Sequence, residues 1–336
     1  MDALASAIAA SSRPIVFAGG GAIAGDDGAA VRQLACLLGA PVLTSNQGKG
    51  IGTWDDDQYL GPWGWEPAAR ELFGEADLAL VFGSKLSASG TGQWQIDFPA
   101  SSYRIGLPAR AHPRYPQLRD VAGDAAAIAL QLTETTAQRA PWARERVREI
   151  RTSVLAAAAE RGTAEMACVT KVATAASSPS WVTLDMTKAA FWFMKYLPAR
   201  IPRAHLISSY LAMGTALPMA IGTAAATQQP CLAVVGDGGF QMSVAELGTL
   251  AEHQLPVTVL IVVDGLYGLL RDNRVALGDQ GMLGIDLWNP ELAMLADAYG
   301  IPCHHAADAE ALGDVLSTPS SEPRIILLSS QFSRAW

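Results

Sequence analysis

Cysteine is scarce in this chain of 336 residues, which contains only four of them and no CxxC pair. The four stand far apart, at Cys36, Cys168, Cys231 and Cys303. This spacing argues against a disulfide framework and against a cysteine-based zinc site. It is typical of buried thiols in a protein that works in a reducing compartment.

Positive charge and long apolar runs are also in short supply. Lysine and arginine number 24 against 32 acidic residues, which gives a net charge of −8 and a pI near 5.1. We therefore expect no nucleic-acid or anionic-membrane partner. No apolar run reaches the ~18–20 residues of a membrane span, and no basic-then-apolar signal peptide is present. The predicted location is the cytoplasm.

Apolar residues make up half of the sequence, which is enough for two hydrophobic cores. Short apolar segments alternate with helical stretches in both halves, a pattern typical of parallel sheets with helices on both faces. The sequence therefore predicts an α/β fold with two doubly wound parallel-sheet domains. The predicted strands are residues 14–18, 41–44, 78–82, 103–107, 181–184, 205–207, 231–235, 257–263 and 324–328.

The composition changes between these two halves. Residues 133–161 are rich in arginine, glutamate and alanine and contain few β-branched positions. We interpret this stretch as a helical linker. The predicted domains are residues 1–135 and 165–336, with the linker at 136–164.

Two acidic, glycine-rich turns follow buried strands in the second half. One is the segment from Gly236 to Gly239 that contains Asp237, and the other begins at Asp264. One βαβ unit separates them, so a parallel sheet would place both carboxylates at neighbouring carboxyl ends, where such sheets bind ligands. Oxygen ligands beside glycine N–H groups suit a magnesium ion that carries a diphosphate.

These turns, with residues 208–222 upstream and 289–300 downstream, resemble the thiamine diphosphate-dependent 2-keto-acid enzymes, the family of acetolactate synthases and benzoylformate decarboxylases. Residues 165–336 are similar to the diphosphate-binding domain of that family. Residues 1–135 are similar to its central domain, through the segments 13–21 and 38–42.

The resemblance implies a set of site residues. Asp237 and Asp264 would bind Mg²⁺ through their side chains, and Leu266 would bind it through its carbonyl oxygen. Backbone N–H groups of Gly238 and Gly239 would bind phosphate oxygens. The remaining cofactor-binding residues implied are Gly236, Tyr267, Thr187, Lys188 and Ser209.

Met213 corresponds to the apolar residue that, in the resembled enzymes, lies beneath the thiazolium ring and bends the cofactor. The alternative is an ordinary core methionine that fills a gap. On the first interpretation Met213 is the catalytic residue that this chain supplies.

Two positions differ from the family pattern. Val263-Asp264 stands where the family carries paired asparagines, and Asp264 adds a negative charge beside the diphosphate. Lys188 stands where the synthases carry glutamine. It either offsets the charge of Asp264 or is a lysine that faces solvent.

No segment of this sequence is similar to the pyrimidine-binding domain, whose glutamate activates the cofactor in the family. We therefore expect a second polypeptide that carries this domain and its glutamate. The expected assembly is an α2β2 heterotetramer, and the expected substrate is a small 2-keto acid, which is decarboxylated before the acyl anion passes to an acceptor.

Three other functions remain open from the sequence. The chain could be a simple 2-keto-acid decarboxylase, or a non-catalytic regulatory or scaffold subunit. The glycine-rich turn at residues 19–25 also resembles the fingerprint of nucleotide-dependent oxidoreductases. That fingerprint expects an acidic residue after the next strand, where this chain has Ser45-Asn46-Gln47. The central domain of the resembled family sometimes binds FAD, which nothing in this turn specifically supports.

Overall fold

The computed structural model describes residues 1–107, 112–175, 181–199, 205–208, 210, 212–278, 281 and 283–335. The chain divides into two compact units. The first contains Met1–Ala157 and a short segment that begins at Pro198, and the second begins at Ala158. The division therefore falls inside the long helix Arg144–Arg161.

The first unit is built around a six-stranded parallel sheet. Its strands are β1 (Pro14–Ala18), β2 (Val42–Thr44), β3 (Tyr59–Gly61), β4 (Leu78–Phe82), β5 (Ser102–Gly106) and β6 (Arg119–Ala122), in the order β3-β2-β1-β4-β5-β6. Every residue of β1 and β4 is buried, as expected for central strands of a sheet covered on both faces. The helices are α1 (Asp2–Ala10), α2 (Ala29–Leu38), α3 (Pro67–Glu75), α4 (Ala125–Thr133) and α5 (Arg144–Arg161).

The second unit contains another six-stranded parallel sheet. Its strands are β7 (Trp181–Leu184), β8 (His205–Ile207), β9 (Cys231–Gly236), β10 (Val257–Val263), β11 (Cys303–Ala306) and β12 (Arg324–Ser329), in the order β11-β12-β10-β9-β7-β8. The helices are α6 (Thr163–Thr174), α7 (Lys188–Tyr196), α8 (Ala216–Thr227), α9 (Asp237–Met242), α10 (Glu246–Glu252), α11 (Gly268–Ala276), α12 (Leu292–Ala298) and α13 (Ala309–Ser317).

One face of this second sheet packs on helices α8, α10 and α12. Small side chains of α8, such as Ala216 and Ala220, are fully buried and let the helix approach the strands closely. Val235 and Ile261 contribute to the same core from β9 and β10. This packing fixes the carboxyl ends of β9 and β10 beside each other, with Gly236 paired to Val262.

The two parallel α/β sheets confirm the predicted fold class. The sequence prediction missed β3, β6 and β11, each of which lies at an edge of its sheet. A helix also begins directly at Asp237, within the segment that the sequence predicted as a glycine-rich turn. Among the residues that the structure describes, no helix is long and apolar enough to cross a membrane.

Candidate cofactor site

The strand order of the second sheet reverses between β7 and β9. From β7 the chain continues through α7 to β8 on one side, and from β9 it continues through α9 and α10 to β10 on the other. A crevice opens at such a point, outside the carboxyl ends of the strands, and is the usual ligand site of open α/β sheets. Here it forms a cleft between the turns after β7, β9 and β10, which we call the β7–β9 cleft.

The cleft brings together the site residues that the sequence predicted within the described parts of the chain. Ser209 lies outside the described residues. The predicted residues that line the cleft are Thr187, Lys188, Met213, Gly236, Asp237, Gly238, Gly239, Asp264, Leu266 and Tyr267. The acidic turns and the residues implied by the resemblance thus lie in one cleft, and the role of each residue there stays a prediction.

Asp237 is held rigidly at the end of β9. Its side chain is buried, with 1% of the residue exposed. One carboxylate oxygen, Oδ1, accepts the N–H of Gly238 at 2.9 Å. The other, Oδ2, accepts the N–H of Gly265 at 2.8 Å and the side-chain amide of Asn289 at 2.7 Å. Donors on several sides fix the orientation of this carboxylate toward the cleft.

Asp264 and Leu266 form the facing turn. The Oδ1 atom of Asp264 accepts the N–H of Leu266 at 3.1 Å. Leu266 is paired with Asp286 in an antiparallel bridge whose hydrogen bonds use its neighbours, the Gly265 carbonyl and the Tyr267 N–H. In such a pair the N–H and C=O of the central residue point away from the partner segment. The Leu266 carbonyl is therefore directed to the side where Asp264 lies.

The two carboxylates influence each other electrostatically. Burial raises the pKa of Asp264, and the charge of Asp237 raises it further. Hydrogen bonding by the Leu266 N–H and the positive charges of Lys188 and Arg271 act in the opposite direction. Asp264 therefore lies close enough to Asp237 for like-charge repulsion, which is the arrangement expected of two ligands of one cation.

The glycines of the turn after β9 leave no room for side chains. A Cβ on Gly239 would lie 2.1 Å from Oδ2 of Asp185, and a Cβ on Gly238 would lie 2.7 Å from a ring carbon of Tyr267. Only glycine lets the backbone lie this close to both neighbours. The close packing fixes the path of the backbone at Gly238 and Gly239, both of which line the cleft.

Asp185 begins the segment 185–188, which corresponds to a diphosphate-contacting segment of the resembled family, and the structure gives it a supporting role. It follows β7 directly and is 1% exposed. Its Oδ2 accepts the N–H of Gly214 at 2.9 Å and its Oδ1 accepts that of Thr215 at 3.3 Å. Burial raises its pKa, and these backbone hydrogen bonds limit the rise. Asp185 thereby attaches the segment that contains Met213 to the central sheet.

Asn289 is a second residue whose role emerged only from the structure. Its amide nitrogen donates to Asp237, and its Oδ1 accepts a hydrogen bond of 2.6 Å from the side chain of Gln241. Gln241 belongs to α9, the helix that begins at Asp237. A chain of side chains therefore supports the carboxylate of Asp237 from behind, as is usual around metal ligands.

Met213 and several apolar residues form the wall of the cleft. Met213 is half-buried and adjoins Gly214, whose φ of 75° allows the sharp turn that precedes α8. Leu269, Leu270 and Phe332 line the same cleft. The cleft thus combines an acidic edge with an apolar wall, as a site for a cofactor with a charged tail and an apolar ring requires.

The donor set fits a diphosphate-bound magnesium ion. Within the parts of the chain that the structure describes, no group of three or more histidine, cysteine, aspartate or glutamate residues is placed to hold a metal. The cleft instead offers two carboxylates and the Leu266 carbonyl. Magnesium demands octahedral oxygen coordination and usually completes it with substrate phosphates and waters. A protein share of three oxygens suits this ion and a diphosphate.

The glycine-rich turn of the first unit has a different environment. The N–H of Gly21 donates to the Gly83 carbonyl at 3.0 Å. A Cβ on Gly83 would lie 2.2 Å from the backbone nitrogen of Ala22. The turns after β1 and β4 therefore pack directly on each other, and α2 begins only at Ala29. This arrangement gives the oxidoreductase interpretation no support, because a pyrophosphate would need those N–H groups.

Comparison with known proteins matches the chain to domains of a cofactor-dependent enzyme family. Residues 185–328 match the C-terminal TPP binding domain of thiamine pyrophosphate enzymes, and residues 1–132 match their central domain. Thiamine pyrophosphate is another name for thiamine diphosphate. The N-terminal pyrimidine domain of the family is not matched.

Individual relatives cover almost the whole chain. It is 32% identical to a probable 2-ketoarginine decarboxylase of Pseudomonas aeruginosa over 93% of its length. The chain is 28% identical to an acetolactate synthase large subunit of Pyropia yezoensis over 97% of the chain's length. It is 26% identical to a probable acetolactate synthase large subunit of Methanocaldococcus jannaschii over 96% of the chain's length. The chain spans only 56% to 58% of the length of these relatives. With both of its units matched to the domain models, the chain belongs to the thiamine pyrophosphate enzymes.

Proposed function

We propose that the β7–β9 cleft binds thiamine diphosphate with Mg²⁺ and that the chain takes part in decarboxylating a small 2-keto acid, whose acyl group then passes to an acceptor. The observation that carries this proposal is that Asp237, Asp264 and Leu266 line one cleft, with the bridge to Asp286 directing the Leu266 carbonyl toward the side of Asp264. In this proposal the three groups hold the metal. The backbone around Gly238 and Gly239, with Thr187 and Lys188 opposite, holds the diphosphate.

The residues of the cleft would act mainly by positioning. When bound, thiamine diphosphate stabilises the carbanion that a 2-keto acid leaves on loss of CO₂. Asn289 and the Gly265 N–H keep Asp237 in one orientation, so the metal and the diphosphate are fixed. Met213 would support the thiazolium ring, and the apolar wall at Leu270 and Phe332 would exclude water from the reacting carbon.

We also propose that a second polypeptide completes the site, with the pyrimidine domain and its activating glutamate, in an α2β2 heterotetramer. Support comes from large apolar side chains in the segments around the cleft that are at least half exposed. They are Tyr210, Met242, Leu270, Val275, Leu277, Leu283 and Trp288. Exposed large apolar side chains near a binding cleft are characteristic of interaction surfaces.

Simple decarboxylation is the second candidate function. The observation that favours it is the similarity to a relative named as a probable 2-ketoarginine decarboxylase. Carboligation is favoured by the acetolactate synthases among the other relatives. A panel of 2-keto acids that includes pyruvate and 2-ketoarginine separates the two, because an aldehyde product indicates decarboxylation and a hydroxyketo acid indicates carboligation.

Calorimetric titration with thiamine diphosphate and Mg²⁺ tests the site itself. We expect metal-dependent binding by the wild-type chain, alone or with a pyrimidine-domain partner, and loss of binding by at least about a hundredfold in Asp237→Ala. Asp297→Ala is the matched control, since Asp297 is an exposed acidic residue of α12 in the same unit. Absence of binding under both conditions would refute the cofactor site and leave a scaffold role. Full turnover by the isolated chain would refute the need for a partner.

A further inference from the structure

Lys188 is a buried cation at the edge of the β7–β9 cleft. It is the first residue of α7, and its side chain is only 6% exposed. It lines the cleft together with Asp264 and Gly268. A buried ammonium group is costly unless opposite charges surround it. The solvent-facing alternative for Lys188 is therefore wrong, and its position must be explained by the charges that it meets.

Two carboxylates face this ammonium group. Its Nζ lies 3.6 Å from Oδ2 of Asp272, which is an ion-pair distance but is longer than a hydrogen bond. A Cβ on Gly268 would lie 3.1 Å from Nζ of Lys188 and 3.1 Å from Oδ2 of Asp264. The ammonium and the Asp264 carboxylate therefore lie on the same side of Gly268, no further apart than the sum of those two distances.

Asp272 does not depend on Lys188 alone. Arg271 lies 3.3 Å from its Oδ1 atom, and Arg334 lies 3.6 Å from its Oδ2 atom. If Lys188 turned toward the cleft, Asp272 would keep both arginines as partners. The loose contact of Lys188 with Asp272 is thus one that a stronger anion in the cleft can replace.

The charges of the cleft show why such a cation is useful. A magnesium dication is neutralised by the two carboxylates of Asp237 and Asp264. A diphosphate then adds several negative charges in a site where burial weakens solvation. With a neutral residue at position 264, only one carboxylate would bind the dication. The metal site would then keep one net positive charge to attract the diphosphate. The ammonium of Lys188 supplies the charge that Asp264 removes.

We propose that Lys188 and Asp264 form a charge-balanced pair in which Lys188 is the positioning residue for the diphosphate and permits a second carboxylate at the metal. Asp272 lies at ion-pair distance from the ammonium of Lys188 and keeps it beside the cleft. This inference rests on the proposed function, because it assigns a role toward the same cofactor. It goes further in stating that the two residues must change together.

A double-mutant cycle tests this coupling. The four proteins are the wild type, Lys188→Gln, Asp264→Asn and the double variant, and the probes are thiamine diphosphate and inorganic pyrophosphate, each titrated with Mg²⁺. We expect Lys188→Gln to weaken the binding of both probes at least about tenfold when residue 264 is aspartate. In the Asp264→Asn background we expect the same change to weaken binding by no more than about threefold.

Lys195→Gln is the matched control for a buried lysine of the same helix. Lys195 donates to the Ala335 carbonyl at 2.7 Å and does not line the cleft, so its effect should be independent of residue 264. Urea unfolding of each variant without cofactor shows whether a lost affinity reflects lost folding. A folded Lys188→Gln variant with equal losses in both backgrounds would overturn the inference and leave the proposed function intact. Failure of the wild type to bind either probe, with or without a pyrimidine-domain partner, would overturn both.

Discussion

Gly239→Ala should destabilise the second unit by an amount that the structure allows us to calculate. A Cβ at this position would lie 2.1 Å from Oδ2 and 3.2 Å from Cγ of Asp185. Close-packed interiors do not accommodate contacts this short without movement. Gly239 lies within α9, and its φ is not in the left-handed region. The effect of the added methyl group is therefore steric, with no cost from the backbone conformation.

The carboxylate of Asp185 is the group that must give way. Moving it weakens the hydrogen bonds that it accepts from Gly214 and Thr215, at 2.9 and 3.3 Å. A hydrogen bond to a charged group contributes about 1.5–3 kcal/mol, so loss of both costs about 3–6 kcal/mol. The better helix propensity of alanine offsets about 1 kcal/mol. The expected net decrease in the free energy of unfolding is about 2–5 kcal/mol.

Equilibrium unfolding in urea, followed by far-UV circular dichroism, measures this decrease. Gly238→Ala is the control from the same turn. Its Cβ would meet side-chain atoms of Tyr267 at 2.7 Å and Leu287 at 2.9 Å, and these side chains can rotate. Its cost should be only about 1–2 kcal/mol. If Gly239→Ala were as stable as the wild type, or no less stable than Gly238→Ala, the role assigned to Asp185 would be wrong.

Two further predictions concern Asn289 and Asp77. Asn289→Leu removes one hydrogen-bond donor from the carboxylate of Asp237. It should weaken Mg²⁺-dependent binding of thiamine diphosphate by about 10–100-fold, as measured by titration calorimetry. Unchanged affinity would contradict the supporting role of Asn289. Burial by itself would raise the pKa of the Asp77 carboxyl. Hydrogen bonds from Ser11, Ser12 and Arg13 outweigh this effect and lower the pKa to about 2. This stabilisation is present above the unfolded pKa of about 3.9 and is lost as pH falls toward 2. Asp77→Asn should therefore reduce the free energy of unfolding by about 1 kcal/mol at pH 7, after allowance for solvent screening, and by less at pH 3. A difference that is constant between these pH values would refute the charged interaction.

The sequence predicted the central strands well because burial on both faces leaves a strong signal. The residues of β1, β4 and β10 are almost all apolar, as parallel strands in a sheet core require. The strands that it missed carry no such signal. Most of β6 is exposed, and β11 contains the exposed His304 and His305. β3 is a short segment, Tyr59–Gly61, that ends in glycine, a residue depleted in strands.

The same distinction explains which parts of the site were visible in the sequence. Asp237 and Asp264 stand in glycine-rich turns directly after apolar strands, and local pattern is enough to identify such turns. Asn289 lies 52 residues beyond Asp237, and its contact with that carboxylate depends on how the bridge at Leu266 folds. The burial of Lys188 likewise depends on α11, whose Asp272 and Gly268 surround it. Such contacts depend on the tertiary structure and cannot be recognised from the local sequence.

The two sheets differ in the side chains that surround the point where the strand order reverses. In the first sheet the order reverses between β1 and β4, yet the turns there interlock, because Gly19 and Gly21 donate to the backbone of residues 82 and 83. In the second sheet the turns after β7 and β9 carry Asp185 and Asp237. These carboxylates accept backbone N–H groups of other loops and so fix the positions of segments that line the cleft. A cavity also lies beside the first reversal, lined among others by Gly83, Lys85 and Arg104, so an opening at a reversal does not by itself define the cofactor site. The second cleft is distinguished by the buried carboxylates of Asp185 and Asp237 that accompany its glycines.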